Sequence, residues 1–153
     1  MVRIPNQAAL MASRLIYGDE ERLLPWAASR VGIGDFRRDA YTIGLERDDN
    51  LVAVVVFDGF SVCDCNMHLA SDGTGKWMNR AILAASFAYP FVQLRLNRVT
   101  GLVPAKNDYA LKLNEHLGFE REGLCRKALP DDDMVVMGLL RENCRWVPKE
   151  NRT

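Results

Sequence analysis

Three consecutive runs of strand-forming residues, 41–47, 51–58 and 62–70, are separated only by Asp48-Asp49-Asn50 and by a short segment around Gly59. A parallel crossover needs a dozen or more residues, so connections this short join antiparallel neighbours. The spacing predicts a three-stranded antiparallel meander. Directly after it, Ser71-Asp72-Gly73-Thr74-Gly75 leads into an apolar stretch that predicts a buried helix over about 76–89, ended or kinked by Pro90.

The flanking sequence supplies the remaining elements. A short strand over 12–17 stops at Gly18, and Asp19 then caps a helix whose first turn carries Glu20 and Glu21. Leu23, Leu24, Ala27, Ala28 and Val31 recur at helical spacing, Pro25 favours a later start, and Gly32 and Gly34 end the helix. A fifth strand is expected over 98–103. Asn107 is a good N-cap, Ala110, Leu113 and Leu117 form one stripe, and Gly118 occupies the C-terminal stop. Strands over 119–128 and 134–141 flank Pro130-Asp131-Asp132-Asp133. A meander combined with βαβ crossovers makes an α+β sheet that needs helices on its faces. No repeat or linker divides the chain, so residues 1–153 are expected to form a single domain.

Composition narrows the function classes. Of 153 residues 48% are hydrophobic and 26% charged, and 20 Lys+Arg balance 20 Asp+Glu. A chain of this length buries about 70% of its unfolded surface, enough for a core without disulfides or a structural metal. A formal charge of zero removes the basic field that draws proteins to nucleic acid or anionic membrane, so neither is expected as a partner. Cys63, Cys65, Cys125 and Cys144 contain no CxxC pair and read as reduced thiols, most of them in apolar stretches. Residues 1–10 lack the apolar run of a secretory signal, and the longest apolar stretch, 81–92, is too short to span a bilayer. A cytoplasmic protein is expected.

Two regions have the makings of a site. Glycines before a helix N-terminus can bring an anion close to backbone N–H groups, so residues 72–77 are either a diphosphate cradle or a tight turn; Lys76 adds a charge and Asp72 opposes one. On the third meander strand, alternation places Asp64, Asn66 and His68 on one face and Cys63, Cys65, Met67 and Leu69 on the other. The polar trio is either a solvated face or a reactive groove. A zinc site from Cys63, Cys65 and His68 is disfavoured by that same parity, so no metal is expected. There is no Gly-x-Ser-x-Gly elbow, and His116 lies near a helix end.

The segment Asn107-Asp-Tyr-Ala110-Leu-Lys-Leu113-Asn114-Glu-His-Leu117-Gly118-Phe119, followed by Glu122-Gly123 and Arg126, resembles the GNAT superfamily of acyl-CoA-dependent N-acyltransferases. Arg98-Val99 before it and residues 133–141 after it fit the same pattern, which is most similar to the ribosomal-protein N-terminal acetyltransferase branch. The resemblance implies a mixed, largely antiparallel sheet of about seven strands with helices on both faces, splayed between the fourth and fifth strands. It implies acetyl-CoA as acyl donor, its pantetheine arm extending the fourth strand along Leu69 and Ala70 and its diphosphate on Asp72, Gly73, Thr74, Gly75, Lys76 and Trp77. Asn107 is implied both as helix cap and near the pantetheine.

The family's loop pattern, Gln/Arg-x-x-Gly-x-Gly/Ala, fits in two registers. One ends on Gly75; the other, favoured by the distance to Ala88-Tyr89 and Arg98-Val99, puts Asp72 at Gln/Arg, Gly75 at the first glycine and Trp77 at the last. Where many relatives carry a tyrosine that protonates the departing thiolate, this chain has Asn114, a hydrogen-bond donor but not an acid. Protonation then falls to Tyr109, Tyr89, water or nothing. The expected reaction is direct acetyl transfer to a primary amine of a peptide N-terminus, a lysine or a small molecule, with His68, or Asp64 through water, taking the amine proton. The alternative is a catalytically weak or inactive GNAT fold kept as a binding or regulatory module. A homodimer is a further option, since the segment around Cys144-Arg145-Trp146 can cover its own domain or a partner.

Overall fold

The computed structural model describes residues 13–31, 35–75 and 77–153. Residues 1–12, Gly32, Gly34 and Lys76, with the expectations attached to them, lie outside the described residues. The elements are β1 (Ser13–Tyr17), α1 (Glu20–Val31), β2 (Tyr41–Arg47), β3 (Asn50–Asp58), β4 (Asn66–Ser71), α2 (Arg80–Ala88), β5 (Arg98–Pro104), α3 (Asp108–Leu117), β6 (Glu120–Leu129) and β7 (Asp132–Leu140). They form a seven-stranded sheet in the order β1-β2-β3-β4-β5-β7-β6. All neighbours are antiparallel except β4 and β5.

Local chemistry explains most element ends. Asp48 and Asp49 both have positive φ, 52° and 63°, and Arg47 faces Asn50, which is the primed two-residue turn whose twist suits a hairpin. At α1, Asp19 C=O accepts from the N–H groups of Arg22 and Leu23. Pro25 lies inside α1 without delaying its start, at the cost of one internal hydrogen bond. Asn107 caps α3 by accepting from Ala110 N–H, and Gly118 closes it with φ 112°.

Strand alternation divides the core between the two faces. Val54 and Val56 of β3 pack with Leu23 and Ala27 of α1, while Val55 and Phe57 point to the opposite face. There Ile82 and Phe87 of α2 and Leu111 and Leu117 of α3 cover Ile43, Val99, Val135 and Met137. Buried Glu46 on β2 pairs with Arg14 at 2.9 Å and Arg22 at 2.6 Å, tying β1 and α1 to the sheet. After Leu140 the chain folds back on its own domain: Cys144 and Val147 enter the core, and Trp146 Nε1 donates to Leu117 C=O at 2.8 Å. The segment around Trp146 therefore covers its own domain.

Three expectations need correction. The third meander strand begins at Asn66, not at residue 62; Val62 is 94% exposed, and residues 59–65 form a loop in place of a turn at Gly59. Residues 59–65 are instead held as a loop: Asp39 accepts from Gly59 and Phe60 N–H, Ser61 N–H donates to Asp64 C=O, and the Cys63 and Cys65 carbonyls accept from Asn97, Arg98 and Thr100 on the edge that faces β5. The helix expected from residue 76 begins at Arg80, because Asn79 accepts from Ile82 N–H and sets the cap there; its α-helical part ends at Ala88, where the chain passes into a π-helical turn, Tyr89–Gln93, that holds Pro90. Of the four cysteines only Cys65 and Cys144 are buried; Cys63 and Cys125 are exposed.

Candidate functional site

The sheet opens between its fourth and fifth strands. Cys65 C=O accepts from Thr100 N–H at 2.9 Å and Asn66 pairs with Thr100, but no later residue of β4 is paired with β5. Each strand stays with its other neighbour, β4 with β3 and β5 with β7, so the two diverge as those partners require. Edge groups recur every second residue along a strand. Leu69 therefore presents its N–H and C=O on the same edge as Cys65, into the gap.

The closed end of this gap is pinned by side chains. Asp64 accepts from Thr100 Oγ1 at 2.8 Å, and Arg98 lies 3.5 Å from Asp64 and 2.7 Å from Glu122. The Glu122 hydrogen bond and charge hold the Arg98 guanidinium still more firmly protonated, against the opposing effect of burial. Gly138 beneath them leaves room: a Cβ there would collide with both Arg98 and Glu122. Asp64 thus acts as a clamp between the approach to β4 and the start of β5.

His68 lies farther along β4, on the α1 side of the sheet, opposite Val56. Its Nε2 is 2.9 Å from Asp58 Oδ1, and the ring of Phe36 packs against it at 5.4 Å. Asp58 is buried and also accepts from Arg37 N–H at 3.2 Å and from the Asn66 side chain. Burial alone would raise its pKa; the His68 hydrogen bond and charge, with the Arg37 and Asn66 donors, outweigh it and hold the carboxyl below the usual range. Asp58 was not among the sequence-derived site residues. A turn at Gly59 sets it opposite residue 62, whereas the longer loop sets it opposite Asn66, a shift of four residues that keeps the face and changes every partner.

That depressed pKa has a defined consequence for stability. The folded state favours ionised Asp58, so its contribution is complete above the unfolded carboxylate value of about 3.9 and is lost as pH falls through the lower folded value. Thermal melts of Asp58→Asn are expected to show a shallower loss of Tm on acidification than the wild type.

The glycine loop is an Asx turn. Asp72 Oδ1 accepts from Thr74 N–H at 3.0 Å and from Thr74 Oγ1 at 2.7 Å, and Gly73 N–H donates to Ser71 Oγ at 3.3 Å. The Thr74 hydrogen bonds lower the Asp72 pKa, so a carboxylate sits where an anion would bind. Gly73 and Gly75 have φ 83° and 72° with nothing within 4 Å of a Cβ, which leaves their surface open. Trp77 turns inward, 1% exposed, and its Nε1 has no partner among the described residues. Ala70 is buried against the α1 side, and its neighbour Leu69 packs against the other core.

The remaining sequence-predicted residues lie on or near α3 and β5. The Asn114 amide packs against Gly101 of β5 and donates to Met137 Sδ at 3.8 Å. Asn107 lies at the helix start with its side chain used in the cap, and Tyr109 beside it is 65% exposed. Tyr89 stacks on Tyr41 at 4.2 Å, and burial pushes its pKa up. Burial also pushes the Cys65 thiol up to about 12, so it is an inert core group. Among the described residues no three His, Cys, Asp or Glu side chains converge as metal ligands would. No helix among them is long and apolar enough to cross a membrane.

No family model matches the chain, and no curated protein matches its sequence. Solved structures do match its shape. A variant of the spermidine N-acetyltransferase of Vibrio cholerae aligns with a TM-score of 0.71 at 16% identity, over 86% of this chain and 95% of that one. A spermidine/spermine N-acetyltransferase from the same organism, in complex with manganese ions, gives 0.71 at 16% over 86% and 94%. A dodecameric structure of the spermidine N-acetyltransferase gives 0.69 at 15% over 86% and 95%. At such identities the likeness speaks to architecture: the chain has the GNAT fold, with its parted fourth and fifth strands.

Proposed function

We propose that the chain transfers an acetyl group from acetyl-CoA to a primary amine. The observation that carries this reading is the gap that opens after the single Asn66–Thr100 pair, with the His68–Asp58 pair beside it. The Leu69 edge fits an extended amide-bearing arm, which would add to β4 as a strand does. The loop fits a diphosphate less well, since Thr74 N–H and Gly73 N–H are already used internally. The exposed Arg80 at the start of α2 supplies a positive charge at that helix N-terminus.

When bound, acetyl-CoA supplies an activated thioester. The chain's own residues do the rest. Backbone N–H groups of β4 polarise the acyl carbonyl. An alkylamine with a pKa near 10.4 must lose a proton before it attacks, and His68 is the acceptor, whereas Asp64 is engaged by Thr100 and Arg98. In this reading Asn114 and Tyr109 on α3 are the donors that stabilise the departing sulfur, Asn114 by a hydrogen bond only. The acceptor is a small-molecule amine, a lysine or a peptide N-terminus; the motif from Asn107 to Phe119 favours the N-terminus, and the matched spermidine acetyltransferases favour a small molecule.

Calorimetry with micromolar protein tests the reading. Acetyl-CoA is expected to bind with measurable heat and to raise Tm; no heat and no thermal shift at millimolar acetyl-CoA would sink it. A second reading, a GNAT fold kept as a binding module, is supported by the Asp72 carboxylate in the loop and by Trp77 buried at the last position of the loop pattern. Thiol release from acetyl-CoA in a screen of amines separates the two, since the module releases none.

A further inference from the structure

We propose that Asp58 is a positioning residue that holds His68 as the Nε2–H tautomer and thereby makes Nδ1 the nitrogen that receives the amine proton. This rests on the acetyl-transfer reading above and adds to it a residue on a different strand. A carboxylate offers only lone pairs, so the hydrogen in the 2.9 Å contact with Asp58 Oδ1 belongs to His68 Nε2. The lone pair of the neutral ring is then on Nδ1, for which the described residues provide no hydrogen-bond partner. When the acceptor ammonium gives one N–H proton to Nδ1, its nitrogen keeps the electron pair for attack. The ring becomes an imidazolium whose Nε2–H still points at the Asp58 anion.

The surroundings of Asp58 make this orientation one-way. Arg37 N–H donates to Oδ2 at 3.2 Å, and the Asn66 side chain donates as well, so the carboxylate is held by donors on several sides. The Phe36 ring packs against the histidine ring, tilted by 57° at 5.4 Å between centroids. In Asp58→Asn the amide oxygen stays with Arg37 N–H, because the flipped amide would set donor against donor. The amide NH2 then faces Nε2, which must accept, and the proton moves to Nδ1.

The test is 15N NMR of the full-length protein labelled at histidine, without acetyl-CoA, at a pH where the ring is neutral. The wild type is expected to show His68 Nε2 at a pyrrole-type shift and Nδ1 at a pyridine-type shift, and Asp58→Asn the reverse. The variant is further expected to lose about 100-fold or more in kcat for acetyl transfer, with KM for acetyl-CoA within about three-fold of wild type. A role in stability alone would not exchange the two nitrogen shifts. A wild-type His68 in the Nδ1–H form overturns the proposal whatever the variant does, including failure to fold. Exchanged shifts with an unchanged kcat overturn the assignment of Nδ1 as acceptor. A correct wild-type tautomer in a protein without turnover refutes the acetyl-transfer reading and leaves the Asp58–His68 tautomer standing.

Discussion

His68→Ala is expected to lower kcat for acetyl transfer by a factor of about 10²–10⁴, the usual contribution of a general base, while acetyl-CoA affinity changes little. The two effects separate because of geometry. In the proposed complex the acyl donor lies along the Leu69 edge, whereas the imidazole lies on the α1 side of the sheet, opposite Val56. Removing the ring also takes one donor from buried Asp58, which keeps Arg37 N–H and the Asn66 side chain. A Tm loss is therefore expected too, from about 1–3 kcal/mol of weakened carboxylate solvation, and rates must be measured well below the variant's melt. Full activity in His68→Ala would remove the base assignment.

The second large effect is on stability. Phe87 is fully buried in α2 and packs at 6.3–6.5 Å ring separation against Phe91, Phe119 and Trp146, joining α2 to the start of β6 and to the C-terminal segment. Phe87→Ala leaves a cavity among groups fixed by three different parts of the chain, so collapse cannot fill it, and a loss of about 3–5 kcal/mol is expected. Urea unfolding should show a lower midpoint with an unchanged m-value. A loss below about 1 kcal/mol would mean that the C-terminal segment carrying Trp146 repacks into the space.

Much that depended on neighbours in sequence was legible beforehand, though not the Asn79 cap that starts α2. Asn107 capping α3, Gly118 ending it and the Asp48–Asp49 hairpin are all decided within a few residues, by side-chain acceptors and by tolerance of positive φ. The parity that set His68 and Asn66 apart from Met67 and Leu69 follows from the strand repeat of two and is present in the structure. The motif from Asn107 to Phe119 pointed to the architecture that the solved acetyltransferase structures share. Trp77 and Asp72 were legible as departures in the loop; the inward turn of the indole and the Asx bond to Thr74 were not.

By itself, the sequence determined the order of the elements, the division of the strands into two faces and both ends of α3, because these arise from local repeat and local hydrogen bonding. Tertiary structure alone decided register and divergence. Residues 59–65 leave β3 as a loop held by Asp39 at one end and by bonds to residues 97–100 at the other, and this non-local pairing delays β4 until Asn66. The same pairing brings Asp58 within 2.9 Å of His68 and lets β4 part from β5 after one bonded pair. A four-residue slip preserves every face, so periodicity carries no information about it. The contacts that shape residues 59–65 settled which residue stands beside the histidine.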